Sequence, residues 1–592
     1  MRQHVETKHN YPVDDIIWAE LWASIRDLGV VPSMRALMSA GPALERTHVA
    51  GYNCAYLTVD SLRAFDEAAY ILLCGTGVGF SVERKYTEQL PVIGFHIEGE
   101  PIELVVQDSK EGWANALRKT IHYLWEGYTV KWNTSLVRPA GARLKTFGGR
   151  ASGPQPLLDL FDFVTKIVQG ARGRRLTSTE CHDIMCKIAD VVVVGGVRRS
   201  AMISLSDLED SQMRDAKHGQ WWNENPQRGL SNNSAVYLGQ PDIGNFIREW
   251  LSLYDSKSGE RGIFNRQSSM LQAGRNGRRD TGYDFGTNPC SEIILRPNQF
   301  CNLSEVVVRV GDTLQTLEQK VRIATILGTF QSTLTDFKYL RPVWKRNTQE
   351  ERLLGVSLTG VLDHPRLAYD SDWLNHLKEV AVATNKEYAE LLGIQPSVAI
   401  TCVKPSGTVS QLVDSSSGLH PRHSSYYIRT VRGDIKDPIT QFMIDQGIPN
   451  EPDVTKPNDT VVFSFPQKAP EGALTREDLS ALDHLDVWKR VQKDWCEHKP
   501  SVTISVRENE WLDVGAWVYK NFNSVSGISF LPYSEHTYRQ APYQEISDTE
   551  YEDWVSRMPK AIDWSGLSAY ETEDTTTGSQ EYACSGFSCE IS

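Results

Sequence analysis

Asn288, Cys290 and Glu292 stand at alternate positions in Thr287-Asn288-Pro289-Cys290-Ser291-Glu292-Ile293-Ile294, the densest chemical signal in this sequence. In an extended backbone, a period of two puts the amide, the thiol and the carboxylate on one face. Asn288 can donate and accept hydrogen bonds, Glu292 can act as a base, and Cys290 can be a nucleophile or a one-electron centre. A second thiol, Cys301, follows in Phe300-Cys301-Asn302-Leu303-Ser304, just before a strand-like run to Val308. A third, Cys54, sits in the strand-like run from Gly51 to Val59, next to Asn53. Two readings compete for these thiols. Free cysteines are commonly buried as small hydrophobes. Three polar groups on one face would each need a partner, however, and that favours a catalytic pocket. The segment alone does not name the reaction.

A second candidate follows a strand that ends near Thr401: Lys404-Pro405-Ser406-Gly407-Thr408-Val409-Ser410-Gln411. Pro405 and Gly407 shape a turn, Ser406 and Thr408 offer hydroxyls, and the free N–H groups of a following helix can bind an anion. The glycine-lysine-serine/threonine ending of a Walker A loop is missing. Phosphate binding is favoured here over a plain helix cap. Ser33 and Arg35 could likewise hold a phosphate, but a cap and a solvated cation describe them better. The glycines of Cys74-Gly75-Thr76-Gly77-Val78-Gly79-Phe80 follow a helix and precede a strand, the reverse of a dinucleotide fingerprint, so they predict close backbone packing. Cys181, His182 and Cys186 lack the second ligand pair of a structural zinc site.

These residues need a scaffold, and the periodicities supply one. Helices are expected over 14–28, from about 61, through most of 156–190, and over 242–254 and 314–327; strands are expected at 353–360 and 398–401. The strand Val191–Val194 leads into Gly195-Gly196-Val197-Arg198-Arg199-Ser200. That turn either lies beside a bound nucleotide or simply exposes two ion-pairing arginines. Helices and strands alternate without internal repeats, which predicts an α/β fold in one large domain. The expected divisions are a helical segment at 1–50, a catalytic domain at 51–564 and a tail at 565–592. The tail is rich in Ser, Thr, Glu, Asp and Gly, a composition of poor order, and carries Cys584-Ser585-Gly586-Phe587-Ser588-Cys589. Thiols on such a tail suit disulfide exchange. The spacing is not Cys-x-x-Cys, and no βαβ context marks a thioredoxin-like module.

A chain of 592 residues with a formal charge of −13 is acidic, which argues against a nucleic-acid backbone as partner. Ten cysteines are too few for a disulfide-stapled secreted protein. With no apolar leader and no run near the roughly 18 residues of a membrane span, a cytoplasmic protein with reduced thiols is expected.

Taken together, the motifs resemble a ribonucleotide reductase catalytic chain, most closely the adenosylcobalamin-dependent class II enzymes of the monomeric ribonucleoside-triphosphate reductase type. The resemblance rests on Asn288-Pro289-Cys290-x-Glu292, Asn53-Cys54, Gly173-Arg174-Arg175-Leu176-Thr177-Ser178, the turn at 195–200, Gly262-Ile263-Phe264-Asn265-Arg266, the loop Pro405–Thr408 and the Cys584/Cys589 pair. It implies a ten-stranded α/β barrel with Cys290 on a central finger loop. Cys290 would become the thiyl radical that takes the ribose 3′ hydrogen, Glu292 would take the 3′-hydroxyl proton, and Asn288 would hold the ribose hydroxyls. Cys54 and Cys301 would supply two reducing equivalents and end as a disulfide. Cys584 and Cys589 would re-reduce it and be reduced in turn by thioredoxin or glutaredoxin. Residues 405–408, with Asn53 and Ser33, would bind substrate, and 195–200 would be the specificity loop that responds to deoxynucleotide effectors.

The radical source separates the classes. The Arg-Val-x-Gly-Tyr signature of the glycyl-radical class is absent. The adjacent Tyr426 and Tyr427 could relay a radical from a second subunit, but they stand far upstream of the tail and read better as barrel residues. Adenosylcobalamin is therefore the expected cofactor; a class I-like chain and a diphosphate substrate are the alternatives. About 53 residues before Cys54 leave too little room for an ATP-cone domain, and a reduced effector insertion is expected, with a monomeric or homodimeric protein.

Overall fold

The computed structural model describes residues 1–592 except 141, 143–150, 195, 196, 199, 436, 455, 534–538, 571–583, 586, 587 and 590–592. Ten strands organise it: β1 (Cys54–Thr58), β2 (Gly77–Ser81), β3 (Met202–Asp207), β4 (Asn232–Tyr237), β5 (Gly262–Asn265), β6 (Gln299–Val307), β7 (Leu354–Thr359), β8 (Thr401–Cys402), β9 (Val502–Val506) and β10 (Ile528–Pro532). The first five pair in parallel in the order β5-β4-β3-β2-β1. The second five run β6-β7-β8-β9-β10, also parallel, with the bridge between Val403 and Pro500 joining β8 to β9. β1 and β6 meet antiparallel, so the two halves run in opposite directions. The far edges, β5 and β10, lie in contact without registered pairing. The expected α/β architecture of ten strands is thus present as two five-stranded halves.

Alternation along the strands explains why these segments fold this way. Cys54 and Tyr56 of β1, Cys301 and Leu303 of β6, and Cys402 of β8 join one interior cluster with Leu205, Val236, Phe264 and Ile293. The intervening residues Ala55, Leu57 and Phe300 face outward, where they pack with helix α1 (Arg63–Leu73) and the helices after it. This is the period of two expected of strands buried on both faces. The insertion between β2 and β3 contains α2 (Lys110–Glu126), α3 (Gln155–Gly170) and α4 (Ser178–Asp190), with α3 packed on both α2 and α4. Thr177 and Glu180 cap the start of α4 reciprocally, a local start signal written into Thr-Ser-Thr-Glu.

Most expected elements appear with shifted ends: helices at Asp15–Arg26, Ile243–Ser256 and Leu314–Gln331, and strands at β1 and β7. The strand expected at 398–401 is confined to Thr401–Cys402. Tyr426 and Tyr427 are corrected. They do not belong to the ten strands but begin Tyr426–Asp434, in a separate four-stranded antiparallel sheet with Asn450–Pro452, Thr460–Lys468 and Tyr543–Glu545. Trp564 packs on Phe442 and the Tyr570 hydroxyl donates to Asp445, so the chain is docked through Tyr570. Among the described residues, no helix is long and apolar enough to cross a membrane.

Candidate active site

The two interior thiols face each other by construction. Cys54 on β1 and Cys301 on β6 are register partners at the antiparallel seam between the halves. Antiparallel partners stand about 4.5–5.5 Å apart at Cα, within the range a disulfide can bridge. Both are reduced here and fully buried. Burial, followed by the charge of Glu292, pushes both thiols well above their usual range, which favours the neutral thiol.

The segment 288–293 enters the interior between the short paired strands Gly286–Thr287 and Ile294–Leu295. It is not simply extended. The Asn288 carbonyl accepts from the Ser291 N–H, and Ser291 takes φ 64°, so the chain turns back on itself. The Asn288 side chain spans the turn: its Oδ1 accepts from Ile293 N at 3.0 Å and its Nδ2 lies 3.3 Å from the Cys54 sulfur. The amide therefore ties this loop to Cys54 of the seam pair. Two glycines make room for it. A Cβ on Gly79 would lie 1.7 Å from the Thr287 carbonyl oxygen, and one on Gly77 would lie 2.9 Å from the Pro289 ring. The glycine run of β2 is thus close backbone packing, as its position after a helix indicated. Cys290 is half-buried at the tip.

Glu292 is completely buried, and neither carboxyl oxygen has a hydrogen-bond partner. Burial raises its pKa against the pull of Lys404, so the proton is held more firmly than in water. A buried carboxyl with free lone pairs is suited to take a proton from a bound hydroxyl. Glu305, two alternations beyond Cys301 on β6, is a second buried carboxyl. Its Oε2 accepts from the Ser406 hydroxyl at 2.5 Å and its Oε1 lies 3.9 Å from Lys404 Nζ. Burial would lower Lys404, but Glu305 and Glu292 together hold it above its usual value, so it stays charged.

The loop 405–408 ends in α7 (Gly407–Leu412) as expected, with Ser406 as its cap residue. Its details differ from a bare phosphate cradle. The Ser406 hydroxyl is committed to Glu305 and its N–H donates to Ser417, leaving Gly407 and Thr408 as the exposed part. Asn53 precedes β1 with its side-chain oxygen buried and unpartnered. Ser33 caps the helix Met34–Ser39, its hydroxyl oxygen accepting from Ala36 N at 3.1 Å. In the turn at 195–200, Gly195, Gly196 and Arg199 lie outside the described residues. Around them Val193–Val194 pairs with Val197–Arg198 as a hairpin, and the Ser200 hydroxyl donates to Ala189 O. At the C-terminus, Cys584 and Cys589 are direct register partners in a two-stranded hairpin.

Sequence reasoning did not single out Glu305, Lys404 or Lys499. Glu305 shares the period-two face of Cys301, a signal available in the sequence. Lys404 adjoins the loop. Lys499 reaches the finger loop from 208 positions away, for which no local signal exists. Beyond α7, a cleft opens between its following loop and the antiparallel sheet. It is lined by Ser415, Ser416, Arg422, Thr503, Tyr533 and Tyr543 among others, and the hydroxyls of Ser415 and Ser416 are buried in it without partners.

The fold is that of a class II ribonucleotide reductase: a crystal structure of a B12-dependent (class II) enzyme aligns with a TM-score of 0.79 at 23% identity, over 95% of this chain and 89% of that one. The sequence is similar to named relatives along most of its length. An adenosylcobalamin-dependent ribonucleoside-triphosphate reductase of Euglena gracilis is 26% identical over 595 residues, 96% of this chain and 79% of that protein. The enzyme of the same name from Lactobacillus leichmannii is 29% identical over 567 residues, 82% of this chain and 74% of its own. Residues 95–168 match the family model of the B12-dependent ribonucleotide reductase insertion domain. The recognition made from the motifs therefore stands, and the insertion is matched within residues 95–168.

Proposed function

We propose that this protein reduces ribonucleoside triphosphates to 2′-deoxyribonucleoside triphosphates by thiyl-radical chemistry with adenosylcobalamin. The observation that carries the reading is the opposition of Cys54 and Cys301 at the seam, with the Asn288 amide joining that pair to the Cys290 loop. Adenosylcobalamin, when bound, supplies through cobalt–carbon homolysis the radical that Cys290 receives. The residues present fit such a group. The rim of a corrin carries carboxamides, and the orphaned hydroxyls of Ser415 and Ser416 in the cleft, with Tyr533 beside them, offer the hydrogen bonds those amides need.

The Cys290 thiyl takes the 3′ hydrogen atom while Glu292 accepts the 3′-hydroxyl proton. The 2′-hydroxyl leaves as water with a proton from the thiol pair. Cys54 and Cys301 give up two electrons and become a disulfide, their second hydrogen forming the new C2′–H bond; Glu292 returns its proton to the 3′ oxygen, and Cys290 returns the hydrogen atom to C3′. The high thiol pKa values suit this order, because the neutral thiol is the proton donor the leaving hydroxyl requires. Cys584 and Cys589 then exchange with the seam disulfide and are re-reduced by thioredoxin or glutaredoxin. Residues 405–408 bind the substrate phosphates, with the charged Lys404 beneath them. The hairpin around 195–200 acts as the specificity loop for deoxynucleotide effectors, in a cytoplasmic monomer or homodimer.

Anaerobic turnover of CTP or ATP with dithiothreitol tests this directly. Product that requires adenosylcobalamin and disappears in Cys290→Ser supports the reading. Cobalamin-independent activity that needs an added metal-containing subunit would instead identify a class I-like chain.

A further inference from the structure

One buried cation remains outside this chemistry although it touches the finger loop. Lys499, at the turn into β9, is 1% exposed. Its Nζ donates to the Ser291 hydroxyl at 3.3 Å and to the Ser526 hydroxyl at 3.0 Å, and it lies 5.0 Å over the Phe264 ring. Ser526 in turn lies 3.3 Å from the Ser269 hydroxyl, in the helix Arg266–Gly274 that follows β5. The Lys499 backbone N–H donates to the Glu292 carbonyl at 2.9 Å. Lys499 thus holds both residues that follow Cys290, Ser291 by side chain and Glu292 by backbone.

Ser291 needs that hold. Its φ of 64° lies in the left-handed region, where glycine is at ease and an L side chain is strained. A serine there costs stability unless its hydroxyl gains something in return, and the Lys499 amine provides it. The approach is also tight. Gly527, at the start of the turn into β10, has φ 80°, and a Cβ on it would come within 3.0 Å of the Ser291 carbonyl oxygen. The titratable groups beside the amine are Glu292 on the loop and the adjacent His498. Burial lowers Lys499 to about 7 against the pull of Glu292, so near neutral pH the amine is present in both protonation forms, and either form can donate to the two hydroxyls.

We propose that Lys499 is the positioning residue of the finger loop, its amine hooking the Ser291 hydroxyl to Ser526 so that Cys290 is presented in one orientation. This rests on the reading of Cys290 as the reacting thiol. The test uses the full-length reduced protein without nucleotide or cofactor and follows iodoacetamide alkylation of each cysteine by peptide mass spectrometry. Lys499→Met and Ser291→Ala should each raise the rate at Cys290 about five-fold, the loosening expected from one lost hydrogen bond. Cys54, Cys301 and Cys402 should keep their rates, and the double variant should add nothing to either single change. In turnover, kcat should fall while KM holds. If Lys499→Met does not fold, Ser291→Ala decides. An unchanged Cys290 rate, or an equal rise at every thiol, would overturn the proposal. Failure of the wild-type chain to turn over would refute the reductase reading and leave the labelling result standing.

Discussion

Two lysines, Lys404 half-buried and Lys499 buried, act on Glu292, and their pKa values are pushed in opposite directions. Lys404, on the substrate-loop side, has Glu305 at 3.9 Å and is held above its usual pKa. Lys499, behind the finger loop, has two hydroxyls and an aromatic face for neighbours and falls to about 7. Burial acts on both; the difference is a carboxylate partner. The site therefore has a front whose lysine stays charged, where anionic phosphates would arrive, and a rear whose lysine titrates near neutrality and seats the loop by hydrogen bonds. Both lysines favour the Glu292 carboxylate, Lys404 more than Lys499.

The comparison can be broken at the rear first. Gly79→Val would drive side-chain atoms into the Thr287 carbonyl, so the finger loop loses its seat. Turnover should vanish, and the urea midpoint should fall by the equivalent of about 1–3 kcal/mol of overpacking. At the centre, Glu292→Gln keeps the shape but not the base, and kcat should drop by about 10²–10⁴ in steady-state assays. At the front, Lys404→Met removes the positive charge that favours the Glu292 carboxylate. The acid limb of the pH profile of kcat/KM should then move to higher pH, whereas an unmoved limb would mean that Lys404 does not act on Glu292.

The smallest effect is a pH dependence at the rear. Lys499 titrates near 7 in the folded chain and near 10.5 when unfolded, so between those values the unfolded state binds the extra proton. Stability should rise with pH across that window. Urea midpoints measured at pH 7 and pH 9.5 should show the rise in the wild type and lose this component in Lys499→Met.

Much of this site could be read from residue types alone. Asn288, Cys290 and Glu292 stood out by their short spacing, although a turn at Ser291 replaces the simple alternation that spacing suggests. Cys54 and Cys301 lie on strands whose alternation does point them to the interior. The direction of the Gly77 and Gly79 run, after a helix and before a strand, was enough to assign packing instead of phosphate binding. Ser33 and Ser406 were harder, because a serine at a helix start looks the same whether its hydroxyl caps, binds a ligand or is taken up by a distant carboxyl such as Glu305. Tyr426 and Tyr427 were assigned to the wrong sheet, since an alternating strand carries no local mark of which sheet it joins. Lys499 was invisible for a related reason: its function depends on a partner 208 residues away, and only the meeting of the two halves brings them together.

The central claim is that the seam pair is the reductant, and one measurement addresses it. The Cys584→Ser/Cys589→Ser chain, fully reduced and freed of external thiol, should be given ribonucleoside triphosphate and adenosylcobalamin for a single turnover. One deoxynucleotide per chain, with a disulfide mapped to Cys54 and Cys301, is the predicted result. Product formed while both thiols remain alkylatable, or a disulfide mapped to any other pair, would contradict it.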